Sequence, residues 1–209
     1  IIVEKYGKRA GSGVLLDGKR ILTAYHVIAG LEDEKNPIWI RLPGQAMYGL
    51  PTATRFVGAD KDADIAYLML EKPLPNPLPA LGVVYGDGMY KDMPLFLAAY
   101  AHANPVGFGV VEGKLIAPAK VNGKSKVTAN LIQLESRTYG GDSGGGVFTC
   151  DGDLAGIELG SMAQDGKPEM MVAALPGIVQ ILLRSFDANG KPQALPKLEV
   201  TKRPRNVNN

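Results

Sequence analysis

The chain of 209 residues has little cysteine and little histidine: one cysteine, Cys150, and two histidines, His26 and His102. A single cysteine permits no intramolecular disulfide, so packing alone must hold the fold together. So few Cys and His side chains exclude, in practice, a zinc site built from them, and we expect neither a metal nor another cofactor. No apolar run reaches the length of a membrane span, and the first residues show no signal-peptide pattern.

The chain also lacks an excess of charge of one sign. Its formal net charge is +2, which indicates no polyanionic partner such as nucleic acid. Glycine and proline are abundant instead, with 26 and 15 residues, beside a hydrophobic content of 45%. This composition is typical of many short elements joined by turns, and it favours an all-β fold. The oligomeric state does not follow from these features.

A proline-rich stretch divides the predicted strands into two groups of about six. Every second residue from Pro73 to Pro79 is proline, which suits neither a sheet nor a helix. We therefore expect an N-terminal β-barrel in residues 1–75, a C-terminal β-barrel in 76–175, and a helix with an extended, loosely held tail in 176–209. The predicted strands are 1–6, 14–16, 20–24, 38–42, 53–59, 65–70, 94–100, 106–116, 126–135, 146–150, 153–159 and 169–174; a single helical turn is predicted at 28–30 and a closing helix at 178–186.

The loop 140–146 has the composition typical of a loop that carries a catalytic nucleophile. Ser143 is flanked by Asp142 and by glycines on both sides, from Gly140 to Gly146. Glycines let the backbone approach a ligand closely, so the amides of Gly141 and Ser143 can both point at one substrate oxygen. A glycine-rich hairpin turn is the plainer interpretation, and the loop alone does not decide between them.

A nucleophilic serine needs a base, and the histidine count makes that requirement a sharp test. The loop matches the G-x-S-x-G pattern of α/β-hydrolases, but in those enzymes the histidine follows the serine, and no histidine follows Ser143. His102 lies in a loop outside any recognisable parallel α/β sheet. His26 follows the predicted strand 20–24, at its end, and is the favoured base.

The acid that orients the base has three candidates, Asp60, Asp62 and Asp64. Asp60 and Asp62 lie in a predicted turn, where solvent surrounds them. Asp64 directly precedes the apolar strand 65–70, where it is shielded enough to stabilise an imidazolium. We therefore assign Asp64.

Three segments, "ILTAYHV", "ADIAYLML" and "GGDSGGGV", resemble the histidine, aspartate and serine motifs of the chymotrypsin-like (trypsin-fold) serine proteases, in that family's order. The stretches "SGVLL", "HVIAG" and "AHANPVGFG" are more similar to the HtrA-like bacterial branch. The resemblance covers about residues 10–175. It implies two six-stranded antiparallel β-barrels with the active site between them, the triad His26, Asp64 and Ser143, and an oxyanion hole formed by the Gly141 and Ser143 amides.

The chain departs from that family's pattern at several positions. Gly146 stands where proline is usual and is expected to loosen the loop, and Val27 replaces a cysteine. The start at Ile1 suggests a processed terminus, but Glu4 and Lys5 replace the usual glycines, so activation by pairing of that terminus with Asp142 is not expected. Too few residues follow Ala174 for the PDZ domain of HtrA proteins. The resemblance favours an extracellular or periplasmic location.

The resemblance also implies a specificity pocket, whose residues are Arg137, Thr138, Tyr139, Glu158, Leu159 and Gly160. Arg137 in the pocket would favour acidic substrate residues, and Glu158 would favour basic ones. The two side chains pairing with each other, or both facing solvent, are the alternatives.

The predicted function is that of a serine endopeptidase acting on proteins or peptides, with activity that rises through about pH 6.5 to 7 as His26 loses its proton. Two alternatives are a catalytically inert peptide-binding protein of the same fold and a viral protease that processes its own polyprotein.

Overall fold

The structure is a computed structural model, and it describes residues 1–33, 38–42, 51–74, 79–84, 88–100, 108–119, 129–135, 138–162, 170–174, 176–187 and 189–193. The strands are β1 Ile2–Lys5, β2 Lys8–Ser12, β3 Val14–Leu15, β4 Arg20–Ala24, β5 Ile38–Arg41, β6 Thr52–Asp60, β7 Ile65–Leu70, β8 Pro94–Ala99, β9 Gly109–Ala119, β10 Ala129–Leu134, β11 Gly146–Thr149, β12 Leu154–Met162 and β13 Met170–Ala174. The helices are α1 Tyr25–Ile28 and α2 Pro176–Arg184.

The first seven strands form one antiparallel sheet in the order β2-β1-β5-β6-β7-β4-β3. Its two edge strands, β2 and β3, are consecutive in the chain and are separated only by Gly13. The sheet therefore curls into a nearly closed barrel whose seam lies at Ser12 and Gly13. A Cβ on Gly13 would lie 3.0 Å from the carbonyl oxygen of Leu22, so this corner has no room for a side chain.

The remaining six strands form a closed antiparallel barrel in the order β10-β13-β12-β11-β8-β9. Two antiparallel barrels are the predicted architecture, and the prediction is confirmed, although the first barrel has a seventh strand. That strand is β2, which the sequence does not suggest, because Lys8, Arg9 and Gly11 have low strand propensity and are held by pairing with β1.

Apolar side chains fill both barrels. In β7, a central strand between β4 and β6, all six residues are buried, and helix α2 packs against the strand. Leu95, Leu97 and Ile132 belong to the core of the second barrel. The helix α2 follows this barrel in the chain and packs against β6, β7 and β12.

Three local predictions need correction or lie outside the described residues. The helical turn expected at 28–30 is instead α1, which begins at Tyr25 directly after β4, while Gly30 has a φ of 85°. Of the tail expected to be loosely held, the structure describes residues 187 and 189–193, where Asp187 N donates to Lys191 O (2.9 Å); the expectation for the rest stays a prediction. The predicted domain boundary falls on residues 75–78, which are not described, and it stays a prediction.

Candidate active site

Strand register brings His26 and Asp64 together. Strands β4 and β7 run antiparallel, with Ala24 opposite Ile65. The residues just beyond Ala24 and just before Ile65 therefore leave the sheet at the same end. His26 lies in the short helix α1 and Asp64 in the turn before β7, so one edge of the first barrel carries both side chains.

Asp64 holds His26 through both of its carboxylate oxygens. Oδ2 lies 2.7 Å from His26 Nδ1, and Oδ1 accepts a hydrogen bond from the His26 amide (2.9 Å). The Asp64 carbonyl also accepts from the amide of Tyr25 (2.9 Å). Asp64 adopts a positive φ of 57°, which is uncommon for a residue other than glycine and occurs often at functional sites. The ring of His26 is thus fixed in orientation.

The electrostatics of this pair favour a protonated imidazole. The hydrogen bond that His26 donates to Asp64 raises the pKa of His26 above its ordinary value of 6.5; burial opposes the shift, and the negative charges of Asp64 and Glu158 add to it. Because Nδ1 faces the carboxylate, Nε2 is the nitrogen left to accept a proton in the neutral ring. The His26 side chain is 47% exposed, so a substrate can reach it.

Ser143 lies on two consecutive tight turns that share Asp142. Asp142 N donates to Tyr139 O (3.1 Å) and Gly145 N donates to Asp142 O (2.8 Å). In each turn the third residue is a glycine with positive φ, 101° at Gly141 and 89° at Gly144. These are the features of type II turns, which require glycine at that position. The backbone conformation of the two turns therefore requires glycine at positions 141 and 144.

The two turns leave two backbone amides available beside the serine. Within the described part of the chain, the amides of Asp142, Gly144 and Gly145 all donate hydrogen bonds, whereas those of Gly141 and Ser143 donate none. An oxyanion hole needs such preorganised N–H groups next to the nucleophile. The two amides expected from the sequence are the two that the loop leaves open.

The first barrel contacts this loop closely. Ser12 N donates to Ser143 O (2.8 Å), and a Cβ on Gly144 would lie 2.1 Å from Ser12 O and 2.4 Å from Thr23 Oγ1. Only a glycine at 144 lets the nucleophile loop of the second barrel pack on strands β2 and β4 of the first. The serine and the His26–Asp64 pair thus belong to different barrels that meet at this surface.

Gly146 is packed rather than loose. It is buried in β11 between Ala98 of β8 and Ile157 of β12, and a Cβ there would lie 2.5 Å from the ring of Phe148 and 2.8 Å from Val14 Cγ2. The expected loosening at this departure from the family pattern is therefore wrong. The missing side chain makes room for Phe148 and for the first barrel.

Residues predicted to form the specificity pocket lie on two segments next to the loop. Tyr139 is exposed and Thr138 Oγ1 donates to Ser161 Oγ, which ties the segment before the loop to β12. On β12, Glu158 is only 2% exposed and Leu159 is buried, while Gly160 is half-buried. Glu158 therefore does not face solvent. Arg137 lies outside the described residues, so its pairing with Glu158 stays a prediction.

One contact suggested by the sequence is not formed, and the two groups of a pairing that was not expected, Ile1 with Asp142, have other partners. Among the residues that the structure describes, Ser143 Oγ makes no hydrogen bond to His26; in enzymes without substrate this bond is often long and tightens only in the complex. Asp142 Oδ2 accepts from the Tyr139 amide (2.8 Å), while the amino group of Ile1 donates to Gly13 O (2.9 Å). Residue His102 lies outside the described part of the chain.

Sequence reasoning missed Ser12, which contacts the loop with its backbone and its side chain. It named Glu158 for the pocket only, whereas the charge of Glu158 also raises the pKa of His26. The motif around Ser12 was visible as Gly11-Ser12-Gly13, but nothing in it indicated a contact with a loop about 130 residues later.

One family of known proteins matches most of the chain. The family "Trypsin-like peptidase domain" matches residues 11–157, which is most of the chain and includes His26, Asp64 and Ser143. The chain belongs to this family.

The relatives are HtrA-type proteases, as the sequence motifs suggested. A probable periplasmic serine protease do/HhoA-like of Haemophilus influenzae is 28% identical over 171 residues, which are 79% of this chain and 34% of the relative. The periplasmic serine endoprotease DegP of Escherichia coli K12 is 28% identical over 162 residues, 75% of this chain and 31% of DegP. The chain thus spans about a third of the length of these relatives.

Solved structures confirm the chymotrypsin-like fold. The HtrA-type protease AlgW with a tripeptide superposes with a TM-score of 0.70 at 22% identity, over 91% of this chain and 60% of that one. Kallikrein-related peptidase 10 in complex with Zn²⁺ gives a TM-score of 0.69 at 20% identity, over 88% and 92% of the two chains. In this chain, the described residues include no cluster of His, Cys, Asp and Glu suited to a metal, and no described helix is long and apolar enough to cross a membrane.

Proposed function

We propose that the chain is a serine endopeptidase that hydrolyses peptide bonds through an acyl-enzyme intermediate, with Ser143 as nucleophile, His26 as general base and acid, and Asp64 as the residue that orients His26. The observation that carries this proposal is the two-point hold of Asp64 on His26, at Nδ1 (2.7 Å) and at the amide (2.9 Å). That hold leaves Nε2 as the acceptor for a proton, which is the arrangement that a serine nucleophile requires.

The proposed reaction has two halves. Ser143 Oγ attacks the peptide carbonyl carbon while its proton passes to His26 Nε2, and the carbonyl oxygen takes the negative charge. The open amides of Gly141 and Ser143 bind that oxyanion. His26 then gives the proton to the leaving amine, and a water molecule, activated by the same nitrogen, hydrolyses the ester in the second half.

We propose protein or peptide substrates and a location outside the cytoplasm. Two relatives are named periplasmic, a third from Arabidopsis thaliana is named chloroplastic, and AlgW was solved with a tripeptide and with a decapeptide. The segments 138–139 and 158–160 are proposed, with Arg137, to line the pocket for the substrate side chain. The buried Glu158 supports a preference that depends on the charge of that side chain.

Labelling with a fluorophosphonate probe tests the enzyme directly. The native chain should be labelled and Ser143→Ala should not, whereas Ser185→Ala, which removes a serine just after helix α2, should label like the native chain. Cleavage of a peptide library should fall roughly 10⁶-fold in Ser143→Ala and in His26→Ala. Absence of Ser143-dependent labelling would overturn the proposal of a serine endopeptidase and favour the alternative, a catalytically inert peptide-binding protein.

A further inference from the structure

Ser12 occupies the corner where the first barrel closes and contacts three segments at once. Ser12 is buried, with 1% of its surface exposed. Its Oγ donates to Gly141 O (2.8 Å) and accepts from the Tyr100 amide (2.7 Å), while its own amide donates to Ser143 O (2.8 Å). Its carbonyl in turn accepts from Thr23 Oγ1 (2.7 Å). A buried residue of one barrel thus binds two carbonyls of the other barrel's nucleophile loop.

The side chain of Ser12 fixes the peptide group between Gly141 and Asp142. The oxygen of this peptide accepts from Ser12 Oγ (2.8 Å), and its nitrogen donates to Tyr139 O (3.1 Å). A peptide group held at both ends cannot rotate without breaking one of the two bonds. The carbonyl side of Gly141, the residue whose amide is open, is therefore fixed.

The backbone of Ser12 fixes a second peptide group, the one between Ser143 and Gly144, in the same way. The oxygen of the Ser143–Gly144 peptide accepts from Ser12 N (2.8 Å), and its nitrogen donates to Glu158 O (2.8 Å). The peptide groups on both sides of the Asp142–Ser143 unit are therefore anchored to the same residue of the first barrel.

We propose that Ser12 is a positioning residue that sets the oxyanion hole of the second barrel from the first barrel, by holding the carbonyls of Gly141 and Ser143 away from the space between the two open amides. This inference rests on the proposed serine-protease function. It assigns a role to the Gly11-Ser12-Gly13 motif.

A hydroxyl is the group that this position requires. It donates to Gly141 O and accepts from Tyr100 N at the same time, which neither alanine nor glycine can do. Ser12→Ala keeps the backbone bond to Ser143 O but removes one of the two hydrogen bonds that hold the peptide after Gly141, the bond to its oxygen. A loop displacement of about 1 Å is enough to cost on the order of 100-fold in rate.

The test compares Ser12→Ala with Thr54→Val. Thr54 is a matched control because its buried hydroxyl (2% exposed) also donates to a backbone carbonyl, Ile38 O (2.8 Å), in the same barrel but away from the site. We expect Ser12→Ala to lower kcat about 10- to 100-fold with KM within about 2-fold, and to slow fluorophosphonate labelling by a similar factor. Thr54→Val should leave both unchanged, and Ser12→Thr, which keeps the hydroxyl, should recover most of the rate.

Amide hydrogen exchange gives a second readout that does not need turnover. In Ser12→Ala the peptide that covers residues 139–146 should exchange faster than in the native chain, and in Thr54→Val it should not. Equal labelling rates and equal exchange for the two variants would overturn the role of Ser12 while leaving the protease intact. If the segment 139–146 exchanges more slowly in the native chain than in Ser12→Ala, but the native chain shows no Ser143-dependent labelling, the proposed function is overturned instead.

Discussion

Protonation of His26 has opposite effects on activity and stability: the protonated imidazole stabilises the fold, whereas catalysis needs the neutral one. Its hydrogen bond to Asp64 raises its pKa above 6.5, with smaller help from the charges of Asp64 and Glu158 and against the effect of burial. As a base His26 must be neutral, so activity should rise at a higher pH than an unperturbed histidine would give. The stabilisation from this raised pKa is complete below the unfolded pKa and is lost as pH increases through the folded value.

Glu158→Gln should move the activity profile toward lower pH. The amide keeps the size of the side chain but removes a buried negative charge that favours the imidazolium, so the pKa of His26 should fall. The acidic limb of kcat/KM measures the shift. Glu112→Gln, at an exposed position on β9, is the control and should leave the limb where it is.

An NMR titration of the imidazole separates this effect from changes in catalysis. The chain has two histidines, so His102→Gln leaves the signal of His26 alone. If the His26 signal titrates at the same pH with and without Glu158→Gln, the charge of Glu158 has no influence on the base.

At the residue scale, the sequence distinguishes Asp64 from its neighbours, because a continuous apolar run follows it. Asp60 is half-buried at the end of β6 rather than surrounded by solvent, and its Oδ1 accepts hydrogen bonds from the turn amides of Asp62 and Ala63. Glu158 could not be recognised in this way. A carboxylate in a strand usually faces solvent, but Glu158 is buried, in a strand that contacts β4 of the first barrel and helix α2.

At the scale of elements, the nucleophile loop combines turn geometry with close packing. Gly144 needs its positive φ for the second turn, and it also needs the absence of a side chain, since Ser12 O and Thr23 Oγ1 occupy the space of a Cβ. Gly152, in the turn between β11 and β12, has nearly the same φ (86° against 89°), but a Cβ added there would meet no other atom within 4 Å.

Comparing Gly144→Ala with Gly152→Ala separates these two requirements. Gly152→Ala should cost about 1 kcal/mol of unfolding free energy and leave turnover unchanged, because only backbone strain is added. Gly144→Ala should lose more stability and should lower kcat by at least about 100-fold, since the loop must move away from the first barrel. Urea unfolding and peptide hydrolysis measure the two effects. Equal activity in the two variants would show that the close approach at Gly144 is not needed.

Strand positions were largely predictable because short apolar runs bounded by turn residues mark them; β4 and β7 have the predicted bounds. The elements that sequence reasoning missed or misplaced were β2 and α1. Both are short and depend on contacts with other segments: β2 on pairing with β1, and α1 on the bond from Tyr25 N to Asp64 O.

At the scale of the whole molecule, helix α2 joins the end of the chain's second barrel to the first. Phe186, just after the helix, lies against Tyr67 of β7, with ring centroids 5.7 Å apart. It also fills the space that a side chain at Gly58 of β6 would need, because a Cβ there would lie 2.3 Å from the Phe186 ring. The helix thus packs across the outside of the first barrel.

Phe186→Ala should lower the free energy of unfolding by about 2 kcal/mol, since it empties a site between β6 and β7. Ile181→Ala on the same helix should change it by less than about 0.5 kcal/mol, because Ile181 is 48% exposed. Urea denaturation followed by tryptophan fluorescence gives both values. A similar loss in the two variants would mean that Phe186 does not contribute through this packing.

The sequence by itself determined the all-β character, most strands and the identity of the three candidate catalytic residues, since these depend on local patterns and on the small number of histidines. The tertiary structure decided how the barrels meet: the contacts of Ser12 with Gly141 and Ser143, the burial of Glu158 and the tight packing at Gly144 and Gly146. These features join residues far apart in the chain. Local propensity carries no information about such contacts, because closing the barrels and docking them against each other creates them.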